Sequence, residues 1–260
     1  MKKLFALTTI VVLLAVVIPA SAAPPENKQC DIWLGMLEKI PPRSPNYQKI
    51  LDKVEQHCGE ALDRLALVAL YESTDGDNWW TNDGWLSDTH HCDWYGITCD
   101  SSNRVTLIDM WVNRLDGPLP SELELLSNVT WLIFSFNYIT SIPPEIENLT
   151  NLQHLIMDHN SMTSIPSELG NLPNLYRLSL DYNPIGTIPA ELGNLSNLGT
   201  LGMEHCNLSG PIPDSLRNLI NAYSISFYDN DPSLCVSTQE LLVFLNALSN
   251  YVGPTTLCGP

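Results

Sequence analysis

Residues 198–213 read LGTLGMEHCNLSGPIP, and this stretch shows the pattern that decides the fold. Apolar residues stand at fixed offsets before Cys206, and an Ile-Pro pair ends the stretch at Pro213. The same offsets surround six anchor positions, spaced 24, 23, 23, 23 and 24 residues apart. The anchors are Asn113, Asn137, Asn160, Asn183, Cys206 and Asn230. A repeat of this period predicts a stacked architecture in which each unit forms one coil.

Two apolar residues, five and three positions before each anchor, predict one short strand per coil. These inward pairs are Ile108 and Met110, Leu132 and Phe134, Leu155 and Met157, Leu178 and Leu180, Leu201 and Met203, and Ile225 and Phe227. Residues at i and i+2 share one face of a strand, so each pair points into the interior. The anchor Asn then turns the chain, and its side chain is expected to bond backbone groups left unpaired there. Stacked coils would share one core and one parallel sheet.

The segment 198–213 resembles the plant-type leucine-rich repeat, whose pattern is L-x-x-L-x-L-x-x-N/C-x-L-x-G-x-I-P. The resemblance extends over residues 104–235, about six repeats, and implies an α/β solenoid. Its expected form is a right-handed superhelix with a short parallel β-sheet on the concave face and helical caps at both ends. Only Gly117 and Gly210 keep the glycine of the pattern. We therefore expect the convex side of the middle units to differ from that of plant receptors.

Residues 60–103 are expected to form the N-terminal cap, which begins with a helix from Glu60 to Glu72. The stretch from Cys92 to Cys99 resembles the C-x-W-x-G-V-x-C element of plant-type caps, and the resemblance implies that these two cysteines form a disulfide. Four tryptophans of this cap are expected in its core, because large aromatic side chains usually bury; a sugar site is the alternative. They are Trp79, Trp80, Trp85 and Trp94.

Residues 236–260 are expected to form the C-terminal cap. The stretch Asn230–Cys235 resembles the closing turn of such arrays, and Ser237 with Glu240 forms a capping-box signal for a helix. The apolar face of that helix is Leu241, Phe244, Leu245 and Leu248. Gly253-Pro254 would end the helix, and a Cys235–Cys258 disulfide would hold it against the array.

The first 22 residues have the pattern of a secretory signal peptide. Lys2 and Lys3 precede an apolar run from Leu4 to Ile18, and Ala20-Ser21-Ala22 is a small-residue cleavage signature. A membrane anchor is the alternative, but ~15 apolar residues are short for a span. We expect a secreted protein without membrane insertion of the mature chain, extracellular or at the cell surface, or periplasmic in a Gram-negative bacterium.

All seven cysteines follow the cleavage site, where oxidising conditions favour disulfides. Residues 23–59 form a predicted N-terminal helical extension outside the resemblance, tied to the cap by a Cys30–Cys58 pair. An odd number leaves one thiol, and Cys206 is the expected one, buried and inert.

The formal net charge of −17 becomes −19 once Lys2 and Lys3 are removed. This argues against nucleic acid and anionic membranes as partners, and it permits a basic protein, a cationic ligand or a neutral sugar. Solubility alone is the other interpretation. Four N-x-S/T acceptors for glycosylation, in a host that glycosylates, are Asn128, Asn148, Asn194 and Asn207.

The concave side is expected to present four columns of outward side chains, one residue per coil. The first column is Trp111, Ser135, Asp158, Asp181, Glu204 and Tyr228; the second is Val112, Phe136, His159, Tyr182, His205 and Asp229. The third is Leu107, Trp131, His154, Arg177, Thr200 and Ser224; the fourth is Asp109, Ile133, Ile156, Ser179, Gly202 and Ser226. The N-terminal half is apolar and aromatic and the C-terminal half acidic with histidines, a combination typical of binding surfaces.

We therefore expect recognition of a protein, peptide or glycan ligand through the concave face, with no catalytic residue, no cofactor and no metal, and an undetermined oligomeric state. The candidate ligand-binding residues are Trp111, Trp131, Ile133, Phe136, Ile156, Asp158, His159, Arg177, Asp181, Tyr182, Glu204, His205 and Tyr228. The resemblance points the same way, because plant-type relatives include receptor ectodomains and inhibitors of pectin-degrading enzymes.

Two other functions stay open. One is a structural or adhesive surface protein. The other is a glycoside hydrolase, because Asp158, Asp181 and Glu204 would stand ~4.8 Å apart on adjacent strands. An open solenoid face offers little of the burial that separates the pKa values of two catalytic carboxyls.

Overall fold

The computed structural model describes Val54 and residues 58–259. The predicted signal peptide, most of the predicted extension at 23–59 and Cys30 lie outside the described residues. One eight-stranded sheet runs the length of the array, with the strands in chain order. Its strands are Ile97–Cys99, Val105–Asp109, Trp131–Ile133, His154–Ile156, Arg177–Ser179, Thr200–Gly202, Ser224–Ser226 and Asn250–Val252. The first pair is antiparallel, and all later pairs are parallel.

The predicted inward residues share one register and one core. Ile108 pairs with Leu132, Leu132 with Leu155, and the same position continues to the last repeat. The six residues of this row, Ile108, Leu132, Leu155, Leu178, Leu201 and Ile225, are at most 1% exposed. The stacked-coil prediction is confirmed. Burial of each such side chain contributes on the order of 2 kcal/mol, so the row is a main source of stability.

The anchor asparagines join each coil to the one before it. The Oδ1 atom of Asn137 accepts hydrogen bonds from the backbone N–H groups of Asn113 (3.1 Å) and Leu115 (2.9 Å). Its Nδ2 group donates to the carbonyl oxygens of Met110 and Phe134, each at 2.8 Å. These backbone groups are buried, and without the amide they would lack partners at a substantial cost. The anchor side chain thus pairs the backbone groups of the turn, as predicted from the sequence.

Cys206 occupies the anchor position of the fifth repeat and is a buried free thiol. Its Sγ atom lies 3.2 Å from the carbonyl oxygen of Leu180 and 3.3 Å from that of Glu204, where an Asn would place its Nδ2 group. Burial raises the pKa of this thiol to about 12. A thiol that stays protonated is a poor nucleophile, which fits an inert structural role.

Five short 3₁₀ helices form the convex side, each directly after an apolar-Pro pair. They are Ser121–Leu125, Pro144–Asn148, Ser167–Asn171, Ala190–Asn194 and Asp214–Asn218. Two extra strand pairs occur where the pattern glycine is present: Asp116–Gly117 with Tyr138–Ile139, and Pro211–Ile212 with Cys235–Val236. Gly117 and Gly210 both have positive φ angles, of 134° and 73°. Within residues 58–259 the middle units form no such pair, so their convex side differs from that of the end units.

The N-terminal cap begins with helix α1 (Gly59–Ser73). Its Asp63 carboxylate is fully buried and accepts hydrogen bonds from the Arg104 guanidinium at 2.9 and 3.0 Å and from the backbone N–H of Val105 at 2.7 Å. This ion pair fixes α1 to the first parallel strand. The Cys92–Cys99 disulfide is present, and Cys58 is disulfide-bonded.

Three of the four cap tryptophans form the predicted aromatic core. The ring centroids of Trp79 and Trp85 are 4.8 Å apart, and those of Trp85 and Trp94 are 5.1 Å apart. The Arg64 guanidinium lies 4.6 Å from the centroid of the Trp94 ring. Trp80 is the exception, because it is 66% exposed. The prediction that it lies in the core was wrong.

The C-terminal cap differs from the prediction in two respects. Helix α2 (Gln239–Ala247) is capped by Thr238, whose hydroxyl accepts a hydrogen bond from the backbone N–H of Leu241; the predicted capping residue, Ser237, is wrong by one position. The helix ends at Ala247, with Leu248 as its C-cap, rather than at Gly253, because Asn250–Val252 leaves the helix to extend the concave sheet. The Cys235–Cys258 disulfide is present. Over residues 58–259, neither helix has the length and hydropathy that crossing a bilayer requires.

Candidate ligand-binding surface

The first and second columns follow the strands rather than lying within them. In the third repeat, for example, the strand ends at Ile156, and Asp158 and His159 come after it. All six residues of the second column have left-handed backbone, with φ between 51° and 59°. They are Val112, Phe136, His159, Tyr182, His205 and Asp229. Such a conformation costs a non-glycine residue about 1 kcal/mol or more, and here it turns the chain into the anchor asparagine.

Rings from six successive coils form one continuous stack along this turn, which we call the aromatic ladder. Its members are Trp111, Phe136, His159, Tyr182, His205 and Tyr228. The four central rings lie parallel, with centroid separations of 4.1, 4.0 and 4.2 Å. Trp111 and Tyr228 close the two ends edge-on, at 6.1 and 5.8 Å. The ladder therefore crosses the whole repeat array.

The four central rings of the aromatic ladder present their edges to solvent. Because neighbouring rings lie within about 4 Å of one another, their faces are covered within the stack. Large apolar area nevertheless remains accessible: Trp111 is 57% exposed, Phe136 47%, Tyr182 43% and Tyr228 56%. Exposed aromatic surface that continues over six coils is typical of an interaction site.

A second group of rings, absent from the predicted set except for Trp131, lies on the third-column side of the concave surface. Trp131 and His154 stack at 3.5 Å. The hydroxyl oxygens of Tyr176 and Tyr223 lie 3.5 Å apart, two coils from one another. Gly199 separates them, and a Cβ atom there would lie 2.8–2.9 Å from the two rings. The signal that could have found this pair is the shared repeat position of Tyr176, Gly199 and Tyr223, directly before the third column.

Three carboxylates of the first column form a second feature, the carboxylate row of Asp158, Asp181 and Glu204. The Oδ1 atom of Asp158 accepts a hydrogen bond from the backbone N–H of Asp181 at 3.1 Å, and that of Asp181 accepts one from the backbone N–H of Glu204 at 2.7 Å. Glu204 in turn accepts a hydrogen bond from the Ser226 hydroxyl. The next coil thus holds each charge in place.

The middle carboxylate of the row is destabilised in its charged form. The pKa of Asp181 is raised to about 6, first by burial and then by the neighbouring charges of Asp158 and Glu204. Arg177, on the same face, and the bond from Glu204 N–H oppose this shift. Several like charges confined on one surface interact favourably with groups of opposite charge.

The remaining predicted residues are partly exposed on the same surface. Ile133 and Ile156 lie half-buried between the two groups of rings, and Arg177 is exposed. The Nδ1 atom of His205 lies 3.0 Å from a carboxylate oxygen of Asp229, beside a shallow depression of about 370 Å³ at the C-terminal end of the aromatic ladder.

Two further predictions concern positions away from the concave face. Among the described residues, one group of potential metal ligands lies close together, but its Cys92 is already in a disulfide and cannot ligate. Of the four glycosylation acceptors, Asn194 and Asn207 are exposed. The amides of Asn128 and Asn148 donate to the carboxylates of Asp100 and Glu124.

Comparison with protein families matches three parts of the chain. Residues 60–100 match the leucine-rich repeat N-terminal domain, residues 127–185 match the leucine-rich repeat family, and residues 197–219 match a further single leucine-rich repeat. A search of curated proteins finds no match. With the solved structures below, these matches identify the chain as a leucine-rich-repeat protein of the plant type.

Solved structures with the same fold include plant receptor ectodomains. The structure of PEPR1-AtPEP1 is 28% identical with a TM-score of 0.59, and the alignment covers 74% of this chain and 31% of that one. The ectodomain of the Arabidopsis thaliana receptor kinase GASSHO1/SCHENGEN3, in complex with CASPARIAN STRIP INTEGRITY FACTOR 2, is 27% identical with a TM-score of 0.57 and coverages of 70% and 25%. This chain thus spans about a third or less of their length. A plant ice-binding protein, 24% identical with a TM-score of 0.53 and coverages of 70% and 66%, shares the fold.

Proposed function

We propose that this protein is an extracellular recognition protein that binds a protein or peptide ligand across its concave surface. One observation carries the proposal: the aromatic ladder joins rings of six successive coils in one stack, and four of these rings, Trp111, Phe136, Tyr182 and Tyr228, are 43–57% exposed. Water contact with so much aromatic area is unfavourable, and a ligand that covers it gains on the order of 25 cal/mol per Å². An extended polypeptide is long enough to do so.

The geometry of the rings favours a polypeptide over a glycan. Sugars stack on the faces of aromatic rings, but the central faces of the ladder cover one another. Ring edges instead suit the aliphatic and aromatic side chains of a polypeptide, which pack edge-to-face. The protein–ligand complexes among the similar structures support the same choice, although those ectodomains are three to four times longer than the aligned region.

The proposal includes the finer features predicted from the sequence. The signal-peptide pattern supports export, the Cys92–Cys99 and Cys235–Cys258 disulfides fit an oxidising compartment, and exposed Asn194 and Asn207 are the accessible glycosylation acceptors. We also propose that the coils wind into a right-handed superhelix, since that handedness is implied by the resemblance. No catalytic residue is assigned, because the carboxylate row lies on an open sheet face.

A capture experiment with the mature chain, residues 23–260, tests the proposal. The bait is compared with the double variant Phe136→Ala/Tyr182→Ala, and captured proteins are identified by mass spectrometry while both baits are probed on a glycan array. The matched control is Tyr138→Ala, because Tyr138 is 53% exposed but lies in a short strand outside the concave sheet. A protein or peptide retained by the native chain and the control but lost with the double variant supports the proposal.

Other outcomes favour other functions. Glycan binding that depends on Phe136 and Tyr182 would make the ligand a sugar and overturn the choice of a polypeptide. Association with cell wall or matrix that survives the double variant would favour a structural or adhesive protein. Release of sugar from a polysaccharide panel, abolished by Asp181→Ala, would make the protein a glycoside hydrolase.

A further inference from the structure

Among residues 58–259, no ion pair involves the carboxylate row, although Arg177 on the same face partly offsets the charge around Asp181. The ion pairs found among residues 58–259 involve Glu60, Asp63, Asp214 and Asp229, and none involves Asp158, Asp181 or Glu204. Each carboxylate of the row uses an oxygen to accept a bond from the next coil. The three carboxylates are therefore fixed in position by hydrogen bonds, and no cationic side chain in the described part of the chain forms an ion pair with them.

The coil that follows Asp181 leaves room for its carboxylate. A Cβ atom on Gly202 would lie 2.9 Å from both carboxylate oxygens of Asp181, so a side chain at this position would displace the carboxylate. Gly202 belongs to the fourth column, and the preceding residue of that column, Ser179, is also small. The fourth-column residues beside the carboxylate row are consequently small at the fourth and fifth repeats. At the second and third repeats they are Ile133 and Ile156, which make the surface apolar.

The surroundings of the row indicate the shape of an occupant. The aromatic ladder borders it on one side, since each carboxylate is followed in the chain by a ring of the ladder: His159, Tyr182 or His205. Coils of a parallel sheet are ~4.8 Å apart, so the row is about 10 Å long. An extended segment rises about 3.3 Å per residue, and its side chains at i and i+2 point the same way about 7 Å apart. Two cationic side chains so spaced fit within the row.

We propose that the ligand of the concave surface is an extended basic segment. Two Arg or Lys side chains at positions i and i+2 of this segment lie over the carboxylate row, and an apolar side chain lies over Ile133 and Ile156. This inference rests on the proposed function and adds the chemistry of the ligand. The net charge of −17 supports it, since long-range attraction accelerates encounter with a cationic partner. A second copy of this chain, equally acidic, is repelled.

An array of synthetic 12-residue peptides tests the inference. Each peptide carries an Arg-x-Arg pair and one Phe at varied distance, and each has a matched partner in which citrulline, a neutral side chain of the same shape, replaces both arginines. Binding is measured with the full mature chain and with Asp181→Asn/Glu204→Gln. The control, Glu168→Gln/Glu191→Gln, removes the same charge from 3₁₀ helices on the convex side.

We expect the arginine peptides to bind about five- to ten-fold more tightly than their citrulline partners, as two partly exposed ion pairs provide. Asp181→Asn/Glu204→Gln should remove this preference, and the control should keep it. Gly202→Ala should also reduce it, because the charge is unchanged but the carboxylate is displaced. An equal loss in the control would mean unspecific attraction by net charge and would overturn the inference.

The two proposals fail in different ways. If peptides bind irrespective of arginine, and Phe136→Ala/Tyr182→Ala abolishes binding, the concave surface is a polypeptide site without the proposed charge preference. If no peptide depends on Phe136 and Tyr182 but the capture experiment still recovers a protein that the double variant loses, the inference fails and the proposed function stands. If neither experiment shows such a dependence, both fail.

Discussion

Replacing Cys206 by Asn should stabilise the protein, because the anchor network lacks one oxygen acceptor at this position. Asn230 shows what the side chain supplies: its Oδ1 atom accepts from the backbone N–H groups of Cys206 and Leu208, both at 2.9 Å. One coil earlier the equivalent groups are those of Asn183 and Ile185. The Asn183 N–H is directed at the thiol sulfur, a weak acceptor, and the Ile185 N–H donates to the Asn183 carbonyl instead.

The expected gain in stability follows from the number of hydrogen bonds that the substitution adds and removes. An Asn at position 206 would provide Oδ1 to two buried N–H groups, and its Nδ2 would replace Sγ opposite the carbonyl oxygens of Leu180 and Glu204. A typical hydrogen bond contributes a net 0.5–1.5 kcal/mol, and Ile185 gives up its present bond, so we expect a gain of about 1–2 kcal/mol. For a domain of this size, that raises Tm by about 2–8 °C.

Urea and thermal unfolding followed by circular dichroism measure the change. The mirror substitution Asn137→Cys is the matched control, and it should lower the free energy of unfolding by at least a similar amount. If Cys206→Asn folds but is no more stable than the native protein, while Asn137→Cys is also neutral, the account of the anchor network is wrong.

Two further predictions concern buried charges. Asp63→Asn keeps an acceptor for Val105 N–H but leaves the Arg104 guanidinium without its counter-charge, so the free energy of unfolding should fall by about 3 kcal/mol; a loss below ~1 kcal/mol in urea unfolding would contradict this. Asp181 has a folded pKa of about 6 against an ordinary 3.8, so the native state binds more protons between these values and stability decreases as pH rises through that window. Asp181→Asn should remove this decrease and be about 1–2 kcal/mol more stable than the native protein at pH 7, after allowance for partial exposure of the carboxylate. Parallel stability curves of the two proteins from pH 4 to 7 would disprove the assignment.

The backbone of the ladder explains why part of the binding surface could not be predicted from the sequence. Phe136 and Tyr182 are exposed, as counting from the anchor asparagine predicted. The alternation of a strand, however, says nothing about residues beyond its end, and the left-handed turn there is what brings the rings into one stack. Consecutive residues such as Asp158 and His159 therefore border one surface, where strand geometry would direct them apart.

The two caps also contain features that could not be predicted from the sequence. The Cys92–Cys99 and Cys235–Cys258 disulfides were predicted correctly, the first from its resemblance to plant-type caps. The end of helix α2 depends instead on a competing partner: residues 250–252 gain strand hydrogen bonds from the last repeat, and a helix would forgo them. The exposure of Trp80 is likewise a matter of packing, since Trp79 and Trp85 already fill the space beside Tyr71.

The amino-acid sequence alone determined the repeat, its register, the inward residues and the role of the anchor side chains, because each follows from spacing along one chain and from the need to pair buried backbone groups. Tertiary structure decided which outward side chains touch: the stacking of the aromatic ladder, the pairing of Tyr176 with Tyr223 over Gly199, and the confinement of charge around Asp181. These contacts join residues from different coils, and their distances are set by how the coils stack.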